Sequence, residues 1–105
     1  MNVFAEVEQL IRSALQTLLT EGKLPADLSI AQVELQEPRD PAHGDIASNI
    51  AMTLAKPARM KPRDIAELIA EKLQGHDAFT RVEVAGPGFL NLTMAPRIWQ
   101  QLVSS

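Results

Sequence analysis

Cysteine is absent from this 105-residue sequence, and histidine occurs only twice. Without cysteine the chain can form neither a disulfide bond nor a thiolate zinc site. The lack of disulfides fits a reducing cytoplasm, where such bonds are rare. His43 and His76 are too few to anchor a metal ion without several carboxylates, so we expect neither a metal nor another cofactor in this chain.

Long apolar runs are missing as well. No stretch approaches the roughly 20 apolar residues that span a bilayer. The N-terminus carries charge early, at Glu6, Glu8 and Arg12, and has no basic region followed by an apolar run, so we expect no signal peptide. Together with an ordinary hydrophobic content of 46%, these features predict a soluble, cytoplasmic domain without membrane contact.

Charge is distributed unevenly along the chain, whose net charge is −3. Residues 1–37 contain six acidic and two basic residues, whereas residues 38–105 contain seven acidic and eight basic ones. The stretch KPARMKPR at 56–63 has no acid and four basic residues, namely Lys56, Arg59, Lys61 and Arg63. Because salt screens distant charges beyond about 8–10 Å, this basic run can contact phosphate even on an acidic protein. A solvated loop is the alternative interpretation.

Hydrophobic periodicity and turn residues predict an α+β fold. The first half of the chain is predicted to form a helix over about 2–21 ended by Gly22, a strand at 30–36, a loop at 37–44, and a helix from Asp45 to about Lys56 ended by Pro57. The second half is predicted to form a helix from Pro62, two strands at 81–84 and 89–94 joined by a Gly86-Pro87-Gly88 turn, and a last helix from Pro96. We expect one domain over 1–105, with a small antiparallel or mixed sheet of three to four strands and helices packed mainly on one face. The apolar stripe of the last helix has barely begun where the sequence stops, which suggests a longer parent chain.

The segment VAGPGFLNLTM at 84–94 has the most informative alternation. On a strand after the turn, its two leucines and Met94 share one face, which we assign to the core, while Phe89 and Asn91 share the other and are expected to project together into solvent. An aromatic ring can stack on an unpaired base and a carboxamide can read a base edge, so the pair has the equipment for RNA recognition. Alternatively, Phe89 closes the end of the core and Asn91 is merely solvated.

His43, Gly44 and Asp45 admit two interpretations. The imidazole and the carboxylate could act as an acid/base pair, since histidine titrates near neutrality. However, the sequence offers them no nucleophile and no second carboxylate at useful spacing, and Asp45 suits the cap of the helix that follows. We therefore favour a structural role for these residues.

Three stretches in this order resemble a known family: HGDIASNIAMTLAK at 43–56, the proline-started helix after it, and VEVAGPGFLNLTM at 82–94. The chain resembles the N-terminal additional domain of arginyl-tRNA synthetases over nearly its whole length, most strongly at 37–94. The resemblance implies a class I synthetase as the parent, which uses ATP and magnesium to activate arginine and transfers it to its tRNA. It also implies an antiparallel sheet flanked by helices that contacts the D-loop at the corner of the tRNA. The catalytic HIGH and KMSKS signatures are absent, so the chain itself is expected to be non-catalytic.

The same resemblance implies roles for individual residues. The aromatic after the turn and the amide two positions later match Phe89 and Asn91, which would handle the D-loop base. The expected tRNA-binding set also includes Gly86 of the turn and, on the charge pattern of the basic run, Lys56, Arg59, Lys61 and Arg63. Many relatives have tyrosine or phenylalanine after HGD where this chain has Ile46, so we expect no ring contact at that position. The implied partners are arginine tRNA and the catalytic domain of the same chain, and we expect the domain to be monomeric.

Two other functions remain open from the residues alone. A protein–protein interaction module would present an exposed apolar patch containing Phe89 and Trp99, without affinity for tRNA. A small stand-alone enzyme would bring His43 and Asp45 within hydrogen-bonding reach of a third polar group in a pocket. Trp99 is otherwise expected to close the core or to dock onto a following domain.

Overall fold

The computed structural model describes residues 3–25, 27–28, 33, 35–36 and 44–95. In chain order the described elements are α1 (Val3–Thr20), β1 (Leu35–Gln36), β2 (Ile46–Ser48), α2 (Ile50–Ala58), α3 (Pro62–Leu73), β3 (Phe79–Ala85) and β4 (Phe89–Met94). The helix expected from Pro96 and most of the strand expected at 30–36 lie outside the described residues, so these two predictions stay predictions.

Helix α1 forms where apolar residues recur at three- and four-residue steps, as predicted. Val7, Ile11 and Leu18 on this stripe are fully buried. The helix is ended by Gly22, whose φ of 77° is left-handed, and the chain then turns so that Lys23 N donates to Leu18 O at 3.0 Å. Glycine enters this conformation readily because it has no Cβ. The first helix and its terminating residue are therefore confirmed.

Residues 46–48 were predicted to form the first turn of a helix. They form strand β2 instead, so this prediction is wrong. They pair antiparallel with β4, and the pairing extends to Asp45, whose N–H donates to Leu92 O at 2.8 Å. The Asp45 carboxylate accepts a hydrogen bond from Met94 N at 2.9 Å, so it reinforces the ladder and caps no helix. Helix α2 begins only at Ile50. Hydrogen bonding to a neighbouring strand thus overrides the helical spacing of the apolar residues in this segment.

Helix α2 runs through Pro57 to Ala58, beyond the end predicted near Lys56. A proline inside a helix removes one N–H donor and crowds the carbonyl four residues earlier. Here Pro57 and Thr53, which carries that carbonyl, are both exposed, so this side of the helix faces solvent. This solvent access lowers the cost of the proline. The helix ends at Arg59, whose φ of 57° is left-handed.

The described strands form one antiparallel sheet in the order β1-β2-β4-β3, which makes β4 a central strand. The inner face of β4 carries Leu90, Leu92 and Met94, all buried as predicted. Helix α3 begins at Pro62, as predicted, and its Ile65 joins the same apolar cluster as the strand leucines. The predicted α+β class is thus confirmed for the described part of the chain. None of the helices described there has the length and apolar character that a membrane-spanning segment needs.

Candidate nucleic-acid interface

Strand β4 presents Phe89 and Asn91 on its outer face, away from the face that packs on the helices. Leu90, between them, is fully buried in the apolar core. The Phe89 ring is half-buried and belongs to no part of the described core cluster. Residues two apart on a strand point the same way and lie about 6.5–7 Å from each other. The ring and the carboxamide are therefore neighbours on one surface.

Asn91 is more enclosed than predicted. The residue is only 7% exposed, and the residues directly opposite it on the two flanking strands are Ala47 of β2 and Glu83 of β3. The expectation that its carboxamide projects freely into solvent is therefore wrong. Within the described part of the chain no hydrogen bond engages this side chain, and its polar atoms are not among those that are sealed from solvent without a partner. The carboxamide thus lies at the floor of the outer face with its donors and its acceptor uncommitted.

The β3–β4 turn is seated against the start of α3. Gly88, with a φ of 148°, approaches so closely that a Cβ there would lie 2.8 Å from the Cβ of Pro62. Arg63 Nη1 donates to Gly86 O at 3.0 Å. A Cβ at residue 86 would lie 3.6 Å from Phe89 Cδ2, so the ring packs beside the turn. These contacts connect three members of the predicted site: Phe89, Gly86 and Arg63.

The four basic residues lie at the junction of α2 and α3, and all of them are exposed. Lys56 is in the last turn of α2, Arg59 follows its end, Lys61 immediately precedes α3, and Arg63 is in the first turn of α3. Arg63 also pairs with Glu67, with 3.7 Å between Nε and Oε1. Among the described residues, the other three basic side chains have no acidic partner.

The predicted binding set is brought together only in part. Lys61 adjoins the turn through its neighbour Pro62, which packs on Gly88. Among the described residues, no side-chain hydrogen bond or ion pair links Lys56 or Arg59 to the turn. These two cations would therefore meet a different part of any ligand than the aromatic ring does.

Glu83 is a polar neighbour of this site that the sequence analysis did not single out. It lies directly opposite Asn91 in the antiparallel register, and its carboxylate forms an ion pair with Arg81 on the same face. Alternation within residues 81–84 indicates that both charges point outward. Side chains directly opposite each other on paired strands are neighbours. The pairing of Glu83 with Asn91 is visible in the register of β3 against β4 but not in the sequence pattern.

The structure gives no support to the alternative acid/base pair. The Asp45 carboxylate is committed to the backbone of β4, while His43 lies outside the described residues, as does Trp99 of the interaction-module alternative. Ile46 is fully buried opposite Leu92 and makes no outer-face contact. Across the described ranges, no group of three or more histidine, aspartate or glutamate residues is placed to hold a metal ion.

These features define a small α+β domain whose sheet is covered by helices on one face and carries an aromatic ring and an amide on the other. Residues 5–94 match the family model of the arginyl tRNA synthetase N terminal domain. The chain belongs to this family, and the resemblance seen in the sequence is confirmed.

Longer proteins similar to this chain are arginine–tRNA ligases. The chain is 52% identical over 100 residues to an arginine–tRNA ligase of Parvibaculum lavamentivorans. The aligned region covers 95% of this chain and 17% of that protein. It is 51% identical to an arginine–tRNA ligase of Ruegeria pomeroyi, over all of this chain and 18% of that protein. The chain thus spans less than a fifth of the length of these relatives.

Solved structures show the same fold. The arginyl-tRNA synthetase of Plasmodium falciparum superimposes with a TM-score of 0.72 at 12% identity, over 94% of this chain and 17% of that one. The arginyl-tRNA synthetase of Thermus thermophilus does so with a TM-score of 0.68 at 20% identity, over 96% of this chain and 15% of that one. At such low identity these two likenesses establish the fold alone.

Proposed function

We propose that this chain recognises the D-loop of arginine tRNA and thereby supports ATP-dependent aminoacylation by an arginine–tRNA ligase. An unpaired base stacks on the Phe89 ring, and the Asn91 carboxamide bonds to its edge. The observation that carries the proposal is their shared outer face, where a ring outside the described core stands beside an amide with no described partner. Membership of the family directs the proposal to this RNA.

The enclosure of Asn91 suits discrimination between bases. Stacking on an aromatic ring contributes about 1–3 kcal/mol per base and tolerates every base, because each has a π face. Selectivity must therefore come from the amide. A base that covers Asn91 without matching its donors and acceptor leaves it unpaired away from water, at a cost of about 1–3 kcal/mol. A freely solvated amide would discriminate less.

The unpaired cations at the α2–α3 junction contact the tRNA backbone in this proposal. Lys56, Arg59 and Lys61 are exposed and have no acidic partner among the described residues. Contacts of lysine and arginine with phosphate fix position and orientation but read no sequence. They would hold the D-loop in place while the outer sheet face reads the base.

Catalysis in this proposal belongs to the rest of the synthetase. The catalytic domain of the same chain uses ATP and magnesium in the cytoplasm, and the present domain, as a monomer, holds the corner of the tRNA. The short share of the ligase relatives that this chain covers is consistent with such a division of labour.

Replacement of Phe89 tests the proposed stacking directly. Phe89→Ala is expected to weaken the binding of arginine tRNA roughly 5- to 150-fold, the equivalent of about 1–3 kcal/mol of stacking. The melting temperature should change little, because the ring lies outside the described core cluster. Affinity is measured by fluorescence anisotropy with labelled tRNA, and stability by circular dichroism.

The chain contains a matched control for this experiment in Phe79. That ring is also on a strand, but it is only 8% exposed and belongs to the core cluster. Phe79→Leu should lower the melting temperature and leave tRNA affinity unchanged at temperatures where the variant is folded. A tRNA altered in the D-loop should bind the unaltered chain about as weakly as normal tRNA binds Phe89→Ala. Unchanged affinity of Phe89→Ala would reject the stacking role and favour a protein partner for this face.

A further inference from the structure

Arg63 differs from the other three cations of the basic run. Its guanidinium donates through Nη1 to Gly86 O at 3.0 Å and pairs through Nε with Glu67 Oε1 at 3.7 Å. Two partners on different nitrogens favour one orientation of the planar guanidinium, a constraint that a lysine ammonium lacks. Lys61, two residues earlier and equally exposed, has no acidic partner among the described residues.

The helix dipole does not favour a cation at the position of Arg63 in α3. It lies in the first turn, where the helix dipole presents positive charge and a cation is unfavourable by about 0.3–1 kcal/mol. The side chain instead reaches the β3–β4 turn, 23 residues away in sequence. Its two partners also reduce its freedom to turn toward a phosphate.

The turn to which Arg63 donates its hydrogen bond also packs against the Phe89 ring. Gly86 lies next to the ring, since a Cβ at residue 86 would be 3.6 Å from Phe89 Cδ2. The first pair of the hairpin is Ala85 opposite Phe89, closed by a long hydrogen bond of 3.3 Å from Gly88 N to Ala85 O. Arg63 therefore supplies the shorter of the two polar contacts described at this turn.

We infer that Arg63 is a positioning residue: it clamps the β3–β4 turn through Gly86 O, and so orients Phe89 for stacking on the unpaired base, instead of contacting a phosphate. This role rests on the proposed function and changes the contribution expected from Arg63, which the sequence grouped with the phosphate-contacting cations. The pairing of β3 with β4 and the packing of Gly88 on Pro62 do not involve Arg63, so we expect the hairpin to stay folded when the clamp is removed.

A double-mutant cycle on tRNA affinity tests whether Arg63 acts through the ring. Arg63→Met is expected to weaken tRNA binding three- to tenfold in the unaltered chain, but less than twofold in a Phe89→Leu background. Residues that act through one another give such non-additive effects, whereas independent phosphate contacts add. Equal losses in the two backgrounds would overturn the positioning role.

The salt dependence of binding provides a second criterion, with Lys61→Met as the matched control. Each lost phosphate contact lowers the log–log slope of affinity against salt by roughly 0.7–0.9. Lys61→Met should show this decrease and Arg63→Met should not. A decrease for Arg63→Met equal to that for Lys61→Met would assign Arg63 to a phosphate.

A measurement without tRNA separates this inference from the proposed function. The chain has three phenylalanines, so 4-fluorophenylalanine labelling gives a small set of fluorine resonances, and Phe89→Leu identifies that of residue 89. Arg63→Met should shift or broaden this resonance in the free protein, and Lys61→Met should leave it unchanged. An unaltered resonance in Arg63→Met would reject the clamp. Failure of the unaltered chain to bind tRNA, with the resonance shifted as expected, would reject the proposed function and leave the clamp in place.

Discussion

At the scale of single residues, Arg59 carries backbone strain that its position after α2 imposes. Its φ of 57° and ψ of 39° are left-handed, a conformation that costs a residue with a Cβ about 1–2 kcal/mol. Arg59→Gly is expected to raise the free energy of unfolding by about 0.5–1 kcal/mol, since glycine relieves the strain but loses more backbone entropy on folding. Urea denaturation at neutral pH measures the change.

Arg59→Ala is the control, because it removes the same charge and keeps the Cβ. It should show no gain in stability, while both variants should weaken tRNA binding equally if the guanidinium contacts phosphate. A glycine variant less stable than the alanine variant would show that the left-handed conformation is not the source of the strain.

At the scale of elements, one polar contact joins the ends of α1 and α3. Lys72 Nζ, in the last turn of α3, donates to Glu21 Oε2 at 2.7 Å, just after α1 ends. This hydrogen bond is the main cause that holds the pKa of the Glu21 carboxyl below its ordinary value of 4.5. A carboxyl with a lowered pKa in the folded state stabilises the fold above its ordinary pKa, and this contribution is lost as the pH falls through the folded value.

Glu21→Gln should therefore lower the melting temperature slightly at pH 7, and the difference from the unaltered chain should shrink as the pH is reduced below 4.5. The effect is small because both side chains are partly exposed and solvent screens the pair. In a Lys72→Met background, Glu21→Gln should make a smaller difference, because only the longer contact of Glu21 with Lys23 then remains. A difference that persists at low pH would mean that the glutamine acts by another route than this contact.

Elements with one strong local signal were predictable from the sequence, and those decided by distant pairing were not. The stripe of α1, the glycine that ends it and the proline that begins α3 are local features, and the structure has them where expected. Residues 46–54 have helical apolar spacing throughout, yet β2 occupies the first three positions because β4 offers it hydrogen bonds. No local pattern within this segment distinguishes the two outcomes.

At the scale of the whole molecule, the missed strand β2 affects the predicted surroundings of Asn91, because β2 makes β4 a central strand. The sequence predicted that the Asn91 carboxamide faces solvent, but it did not predict the order of the strands around it. With β2 in place, Ala47 stands beside that carboxamide and the residue is enclosed. Alternation along 89–94 was enough to predict which face each side chain takes, but its exposure depends on the strand order of the entire sheet.

The charge distribution of the whole molecule leads to a last prediction. The net charge is −3, so any attraction to RNA must come from local cations and not from the mean field. Lys23 and Lys72 both contact Glu21 at the C-terminal end of α3, whereas Lys61 lies at its N-terminal end. A helix of that length separates the two ends by about 16 Å, which exceeds the screening distance of about 8 Å at physiological salt.

Lys56→Met removes one positive charge at the α2–α3 junction, and Lys23→Met removes one positive charge near the opposite end of α3. We expect only the first to change the salt dependence of tRNA binding. Lys56→Met should lower the log–log slope of tRNA affinity against salt by roughly 0.7–0.9, the value for one phosphate contact. Lys23→Met should leave the slope unchanged, because Lys23 is paired with Glu21 at the far end of α3. Titrations at several salt concentrations measure both slopes. Equal decreases for the two variants would mean that tRNA responds to total charge, and no decrease for Lys56→Met would mean that Lys56 contacts no phosphate; either result would contradict the proposed phosphate-binding role of the α2–α3 junction.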